Sequence, residues 1–316
     1  MSGSRIAIVW NPSKTSREDL ERALPASAAD AEVSWHETTP DDPGQGATGE
    51  ALAAGAAVVV AAGGDGTVRA VAERLAQGAS AELAIVPLGT GNLLARNLGV
   101  PLGLAGALTR AFEGESRALD IGWITAEVDG AKSRQAFAVL AGIGLDAHMI
   151  VETDEDLKSK VGWLAYVESL GRALSASAVV KMAIAVDGAA PERAEGHTLL
   201  VGNCGTLQGG IALLPDADPS DGELDLLLLS AEGMGQWLDT LRSFMWDNGI
   251  RRLFSRHERA ESADTATHGR VRRVTVELAE PRVLEVDGDD LGETAAFTIE
   301  VQPEAVRVRC DAAAKQ

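Results

Sequence analysis

The run VVVAAGGDGTVRAVAERL, Val58 to Leu75, passes from β-branched and small apolar residues, through three glycines set around one aspartate, into a segment with apolar residues at three- and four-residue spacing. It reads as a buried strand, a tight turn and a helix whose first N–H groups point out of the turn. The pattern recurs in ELAIVPLGTGNLLARNLGV, Glu82 to Val100, with Gly89, Thr90, Gly91 and Asn92 in the turn. A third turn ends the first strand in IVWNPSKTS, Ile8 to Ser16, with Asn11, Pro12 and Ser13. One strand–helix–strand unit fits between Gly64 and Gly89. That connection puts both turns at the carboxyl ends of neighbouring parallel strands, the edge where open α/β sheets hold ligands.

Working outward, RIAIVW, AEVSW, AAVVVAA and ELAIVP alternate with helical patterns starting near Arg17, Ala47, Asp65 and Leu104. Apolar runs separated by helical spacers predict a doubly wound parallel α/β domain over residues 1–122. After Asp120 most predicted strands follow one another directly, from IGWITAEV through HTLLVGNC and ELDLLLLS to AAFTIEV and AVRVRC. This half, residues 123–316, is expected to be an antiparallel β-rich sandwich whose last residues return to the first domain. Two inserted helices are predicted, DLKSKVGWLAYVESLGRALSA and roughly 235–253, and the Pro/Gly-rich TTPDDPGQG at 38–46 reads as a loop.

The chain has 316 residues, 46% hydrophobic and 24% charged, enough for two domains with substantial cores. Its formal net charge of −19 leaves no excess of cations to replace condensed counterions, which argues against nucleic acid as a partner. The two cysteines, Cys204 and Cys310, are too few for a disulfide framework or thiolate metal site and suit a reducing compartment. With no signal-peptide core and no long apolar run, a cytoplasmic location with at most peripheral membrane contact is expected.

Gly63, Gly64 and Gly66 let a ligand approach the backbone, and Thr67 is placed to cap the helix or touch a phosphate oxygen. The dinucleotide fingerprint fails, because Arg69 stands where its third glycine belongs, and no P-loop sequence occurs. Asp65 is the misfit, since a carboxylate beside phosphate repels it unless a divalent cation or a proton transfer intervenes. It therefore points to Mg²⁺, or to a water held by Mg²⁺, with a helix N-cap as the alternative.

These motifs, Gly63-Gly64-Asp65-Gly66-Thr67 followed by Pro87-Leu88-Gly89-Thr90-Gly91-Asn92 and Ala95-Arg96, resemble the diacylglycerol kinase catalytic-domain superfamily, which includes sphingosine kinases and soluble bacterial lipid kinases. The resemblance continues through LDIGW at 119–123, AGIGLDAHM at 141–149, LPDADPSDGELDLLLL at 214–229 and EVDGDDLG at 285–292. GGDG alone is shared with NAD kinases and phosphofructokinases, so the later motifs decide.

The resemblance implies ATP bound by the three turns and by a threonine, Thr38 or Thr39, with spacing favouring Thr38. It implies a structural Mg²⁺ held by Asp218, Asp221 and the carbonyl of Glu223, where an acidic solvated turn is the alternative reading. It implies a catalytic base at Asp289, which is Asp where relatives carry Glu, so Asp290 and Glu293 stand as substitutes. Several relatives have Asp where this chain has Leu93, which leaves Asp65 and Asp120 for the water-linked metal network. Lys14, Arg69 and Arg96 are candidate cations for the phosphates.

A lipid acceptor needs a route to a membrane surface. RSFMWDNGIRRLFSRHER, 242–259, interleaves five arginines with Phe, Met, Trp and Leu in an otherwise acidic chain, a composition that suits an anionic interface at about 1 kcal/mol per basic residue. Packing on the β-domain is the alternative. The expected function is thus Mg²⁺-dependent phosphorylation of a lipid hydroxyl by ATP. A kinase of a soluble acceptor such as NAD and a lipid- or nucleotide-binding protein without turnover are the competing readings. The oligomeric state is open, a dimer among the options.

Overall fold

The computed structural model describes residues 4–128, 130–144, 179–207, 213–229 and 266–310. The two inserted helices and the basic segment 242–259 lie outside the described residues. Among the described residues no helix is long and apolar enough to cross a membrane.

The first half runs β1 (Arg5–Trp10), α1 (Arg17–Arg22), β2 (Glu32–Glu37), α2 (Gln45–Ala53), β3 (Val58–Gly63), α3 (Asp65–Ala76), β4 (Glu82–Pro87), α4 (Leu93–Asn97) and α5 (Leu104–Glu113). β3 is buried along its whole length, as a central strand covered on both faces must be. The four strands are parallel in the order β2-β1-β3-β4, the arrangement of a doubly wound sheet. The connection β1 to β2 runs one way along the sheet and β3 to β4 the other. Right-handed crossovers therefore place their helices on opposite faces and open a crevice between β1 and β3.

The second half contains β5 (Glu115–Val128), β6 (Ala131–Phe137), β7 (Leu140–Ile143), β8 (Val180–Val186), β9 (Glu192–Gly196), β10 (Thr198–Gly202), β11 (Leu224–Leu229), β12 (Ala266–Val271), β13 (Arg273–Val286) and β14 (Asp289–Cys310). Its pairings are antiparallel, and its apolar cluster around Phe137, Leu199, Val274 and Ile299 is distinct from the one that fills the α/β half.

β14 joins the two halves into one continuous sheet. It pairs antiparallel with β13 and β5, and near its end Val308 lies in parallel register with Leu83 of β4. AAFTIEV and AVRVRC, read as separate strands, are thus one strand with an irregularity between Gln302 and Val306, where Pro303 withholds a ladder N–H and Glu304 adopts positive φ. VRRVTVEL and RVLEVDG likewise fuse into β13 across a break at Glu277–Arg282 that contains Pro281. The helix expected after the Gly89 turn is the short α4, whereas the polar strands β9 and β12 carry patterns too brief or too charged to be read as elements.

The loop at 38–46 has more order than its composition indicates. Asp42 Oδ1 accepts the N–H groups of Gly44 (3.1 Å) and Gly46 (2.8 Å), and Oδ2 accepts that of Ala47 (2.9 Å), so one carboxylate caps the start of α2. Burial works to raise its pKa, but the N–H groups of Gly46, Ala47, Gly44 and Gln45 outweigh it and leave the group below its ordinary value. Asp42→Ala is expected to destabilise the fold by about 1–2 kcal/mol in chemical denaturation at neutral pH. With the folded pKa below the unfolded one, this stabilisation is present above about pH 4 and is lost as pH falls through the folded value. The gap between wild type and variant should therefore close in acid.

Candidate active site

Three turns meet at the carboxyl edge of the parallel sheet. Asn11 N–H donates to Ala62 O (2.9 Å), and Leu88 N–H donates to Gly63 O (2.8 Å), so the ends of β1, β3 and β4 are level. The turns after β3 and β4 touch: a Cβ built on Gly89 would stand 2.8 Å from Gly64 Cα, and one on Gly91 would stand 2.9 Å from Asp65 Oδ2. Glycine is required here by contact between the two turns.

Asp65 is the first residue of α3, yet its carboxylate does not cap its own helix. Oδ2 accepts Asn92 N–H (2.8 Å) and Oδ1 accepts Leu93 N–H (2.7 Å), so Asp65 ties one glycine turn to the other and supplies negative charge where α4 begins. Asn92, in left-handed conformation, closes its own turn: Oδ1 accepts Gly89 N–H (2.8 Å) and Nδ2 donates to Gly89 O (2.7 Å). Arg96 Nε donates to Gly91 O (2.8 Å) and braces the same loop, while Thr90 is exposed. In the first turn, Asn11 Oδ1 accepts both the N–H (2.9 Å) and the hydroxyl (2.8 Å) of Ser13; Pro12, Ser13 and Lys14 are exposed. Thr67 is buried, its hydroxyl turned back against Gly63.

The two threonine candidates separate. Thr38 is buried and its N–H donates to Trp10 O (2.9 Å), beside the Asn11 turn, whereas the Thr39 hydroxyl accepts the Asp42 N–H (3.1 Å) within its own loop.

The second half contributes Asp289, the first residue of β14. A Cβ on Gly66 would lie 3.7 Å from Asp289 Oδ2, which places this carboxylate directly over the glycine turn. The Asp289 side chain is 55% exposed, and its Oδ2 is held by Arg69 Nη2 at 2.5 Å. The other amino group of Arg69 reaches Gln135 Oε1 (3.1 Å), and Glu73 Oε2 accepts Ala136 N–H (3.1 Å), so one face of α3 docks on β6. A polar cleft of about 380 Å³ opens beside these contacts, lined by Gly66, Arg69, Glu73, Ser133, Arg134 and Gln135 among others. Asp290 Oδ1 accepts Gly292 N–H (2.6 Å) within its own turn, and Glu293 is exposed on β14 opposite Val283.

Asp120 is fully buried, and its two oxygens accept the N–H groups of Glu304 (2.6 Å) and Gly222 (2.7 Å). Burial pushes its carboxyl up; those two N–H groups pull it down, and nearby Asp221 and Asp218 push it up again. Asp120 is therefore part of the acidic turn at 216–223. In that turn Asp218 Oδ1 accepts the Ser220 N–H (3.0 Å) and hydroxyl (2.7 Å), Asp221 Oδ1 accepts Glu223 N–H (3.0 Å), and Arg270 Nη1 lies 3.4 Å from Asp221 Oδ2. The Glu223 carboxylate faces Arg270 (3.8 Å) and Arg272 (3.7 Å). Among the described residues no group of three or more His, Cys, Asp or Glu side chains stands in metal-holding geometry.

Sequence reasoning did not single out Asn203, whose Nδ2 bridges Asp120 O (2.8 Å) and Ala138 O (3.1 Å), nor Gln135, nor the buried Asp287. Asn203 and Gln135 lie on strands or at strand ends, and only their long-range partners distinguish them.

Residues 5–124 match the family model described as the diacylglycerol kinase catalytic domain, and residues 138–310 match that described as the YegS C-terminal NAD kinase beta sandwich-like domain. The chain is similar to the "Probable lipid kinase YegS-like" of Pseudomonas aeruginosa, 34% identical over 99% of this chain and 96% of that protein. A protein of the same description from Xanthomonas euvesicatoria is 30% identical over 98% of this chain and 96% of its own. A crystal structure of a diacylglycerol kinase from Bacillus anthracis shares the fold with a TM-score of 0.67 at 21% identity, covering 98% of this chain and 97% of that one. The joined glycine turns and these full-length likenesses agree, and the chain belongs to the diacylglycerol kinase catalytic-domain superfamily and is a phosphotransferase.

Proposed function

We propose that the protein transfers the γ-phosphoryl group of ATP to the hydroxyl of a lipid. The observation that carries this reading is Asp289, an exposed carboxylate from the second half standing over Gly66 of the phosphate-facing turn. ATP lies with its phosphates at the turns of Asn11 to Ser13, Gly63 to Thr67 and Gly89 to Asn92, and Thr38 stands at the same sheet edge. The acceptor oxygen attacks the γ-phosphorus, its proton passes to Asp289, and the bond to the β-phosphate oxygen breaks to release ADP. Such a transfer depends on positioning and charge stabilisation more than on covalent help from the protein. The description of full-length relatives as lipid kinases supports a lipid acceptor.

Two sets of oxygen donors suit Mg²⁺. Asp65 uses each oxygen once on a backbone N–H, which leaves lone pairs for a metal-held water. Around Asp218, Asp221 and Glu223 negative charge is in excess of its arginine partners. The buried Asp225 beside them is pushed to about 6, first by burial and then, against the pull of Arg270, by Asp221, Asp216 and Glu223. A cation held by Asp218, Asp221 and the Glu223 carbonyl would relieve that repulsion. At the nucleotide, Mg²⁺ supplies neutralisation of charge on the β- and γ-phosphate oxygens.

The acceptor is presented from a membrane surface, and the basic, aromatic segment 242–259 has the composition to bind one. The test is ATP consumption with Mg²⁺ against diacylglycerol, a sphingoid base, phosphatidylglycerol and NAD. One lipid should be turned over, and EDTA should abolish the turnover. Turnover of NAD with no lipid, or ATP binding with no turnover of any acceptor, would overturn the reading in favour of a soluble-acceptor kinase or a binding protein.

A further inference from the structure

The turn that delivers Asp289 is a two-residue hairpin loop. Val286 of β13 pairs with Asp289 of β14, and Asp287 and Gly288 between them have φ of 49° and 90°. Positive φ at both central residues defines the tight hairpin turn whose twist matches that of the strands, and Asn-Gly or Asp-Gly is its preferred sequence. Either pair would satisfy the turn with the first side chain in water. Here it is buried instead: Asp287 Oδ2 accepts the N–H of Ala138 (2.8 Å), and Oδ1 accepts those of Val139 and Leu140 (2.9 Å each). The Asp287 N–H returns a bond to Leu140 O (2.8 Å).

Three consecutive backbone N–H groups converging on one carboxylate form a nest with no partner to spare. The segment they belong to is fixed from behind, because Asn203 Nδ2 holds Ala138 O and Asp120 O together. Burial pushes the Asp287 carboxyl up, and the Ala138 N–H, the charge of Arg69 and the N–H groups of Leu140 and Val139 work against that. The hairpin tip is thus nailed to the strand junction between β6 and β7, two residues before the carboxylate that stands over Gly66.

We propose that Asp287 is a positioning residue that fixes the emergence of Asp289 over the phosphate-facing turn by binding the backbone nest of residues 138–140. Arg69 then sets the Asp289 side chain within that frame. The inference rests on Asp289 as proton acceptor, and it assigns to the preceding aspartate the task of holding a carboxylate one methylene shorter than glutamate within reach.

Asp287→Asn is the informative variant, because Asn is equally suited to the left-handed turn but presents an amide donor to N–H donors. In the full chain, Mg·ATP affinity by calorimetry should be unchanged. kcat with the lipid turned over by wild type should fall on the order of 10²-fold, the scale expected of an ångström-level misplacement. In the Asp289→Asn background the same change should cost nothing further, since a residue acting only through another is silent once that other is gone. A merely structural role would instead weaken ATP binding, lower kcat additively in the double variant and respond equally to Asp287→Ala and Asp287→Asn. Any of these outcomes, or an unaltered kcat, overturns the proposal. Hydrogen exchange at 138–140 and 287–290 provides an arm independent of the acceptor. Protection retained in Asp287→Asn also overturns the anchoring, whereas absence of turnover in wild type counts against the lipid-kinase reading and leaves this arm decisive.

Discussion

Asp289→Asn is expected to lower kcat by about 10²–10⁴-fold, the contribution typical of a general base, with Mg·ATP affinity and thermal stability close to wild type. The separation follows from where the side chain sits. Asp289 belongs to β14 and is more than half exposed, so its amide analogue disturbs no packed core. Its side-chain partner is Arg69, not the backbone of the glycine turns. Asn keeps an oxygen for the Arg69 amino group, so the dock of α3 on β6 through Gln135 and Ala136 survives. What is lost is the capacity to take a proton. Asp289→Glu restores a carboxylate with longer reach and should retain far more activity than Asn. A large loss on Asp290→Asn with Asp289→Asn active would move the base one residue along, and transfer unaffected by either would remove the carboxylate-base assignment altogether.

The N-terminal half was legible because each of its signals is local. Alternating apolar runs, glycine turns and helical spacing name β1 to β4, and the reach of one strand–helix–strand unit puts Gly64 and Gly89 at one edge; the order β2-β1-β3-β4 comes from the fold. The second half was legible as antiparallel strands, but its irregularities were not. Pro281 and Pro303 look like strand ends in sequence, yet the chain continues through both as bulged strands, because β8, β13, β14 and β5 are held by pairings on either side of each break.

The site divides in the same way. Glycines in a turn announce close backbone approach, whereas a carboxylate announces only charge, and its partner must come from the fold. Asp42 looked like loop composition and caps α2; Asp120 belongs to the acidic turn through Gly222 and to the kink at Glu304. Asp287 stood in sequence only as a member of the EVDGDDLG motif and holds three N–H groups from residues about 150 positions away in the chain. Each of these acids satisfies buried or turn-bound backbone donors, the commonest demand a fold makes on a carboxylate. Asp289, by contrast, keeps its carboxylate more than half exposed over the glycine turn.

Asp65→Ala should weaken Mg·ATP binding by about 10–100-fold and lower stability by about 2–3 kcal/mol, because it deletes two charge-assisted hydrogen bonds that join the phosphate-facing turns. The magnitude is set by what is left behind. Asn92 and Leu93 N–H groups lose their acceptor at the start of α4, and the approach of Gly64 to Gly89 loses the bond beside it that holds the turns in contact. Asp65→Asn keeps one accepting oxygen and turns an amide donor toward the other N–H, so it should fall between wild type and Ala in both measurements. A metal-organising role makes a further demand. If Asp65 also orders a water of the nucleotide's Mg²⁺, the loss in affinity must be larger for Mg·ATP than for ATP with the metal chelated, and calorimetry under the two conditions separates the contributions. Equal losses would make Asp65 a turn-joining residue alone. A loss confined to the Mg²⁺ condition, with stability unchanged, would show that the backbone bonds to Asn92 and Leu93 are dispensable and that the carboxylate is there for the metal.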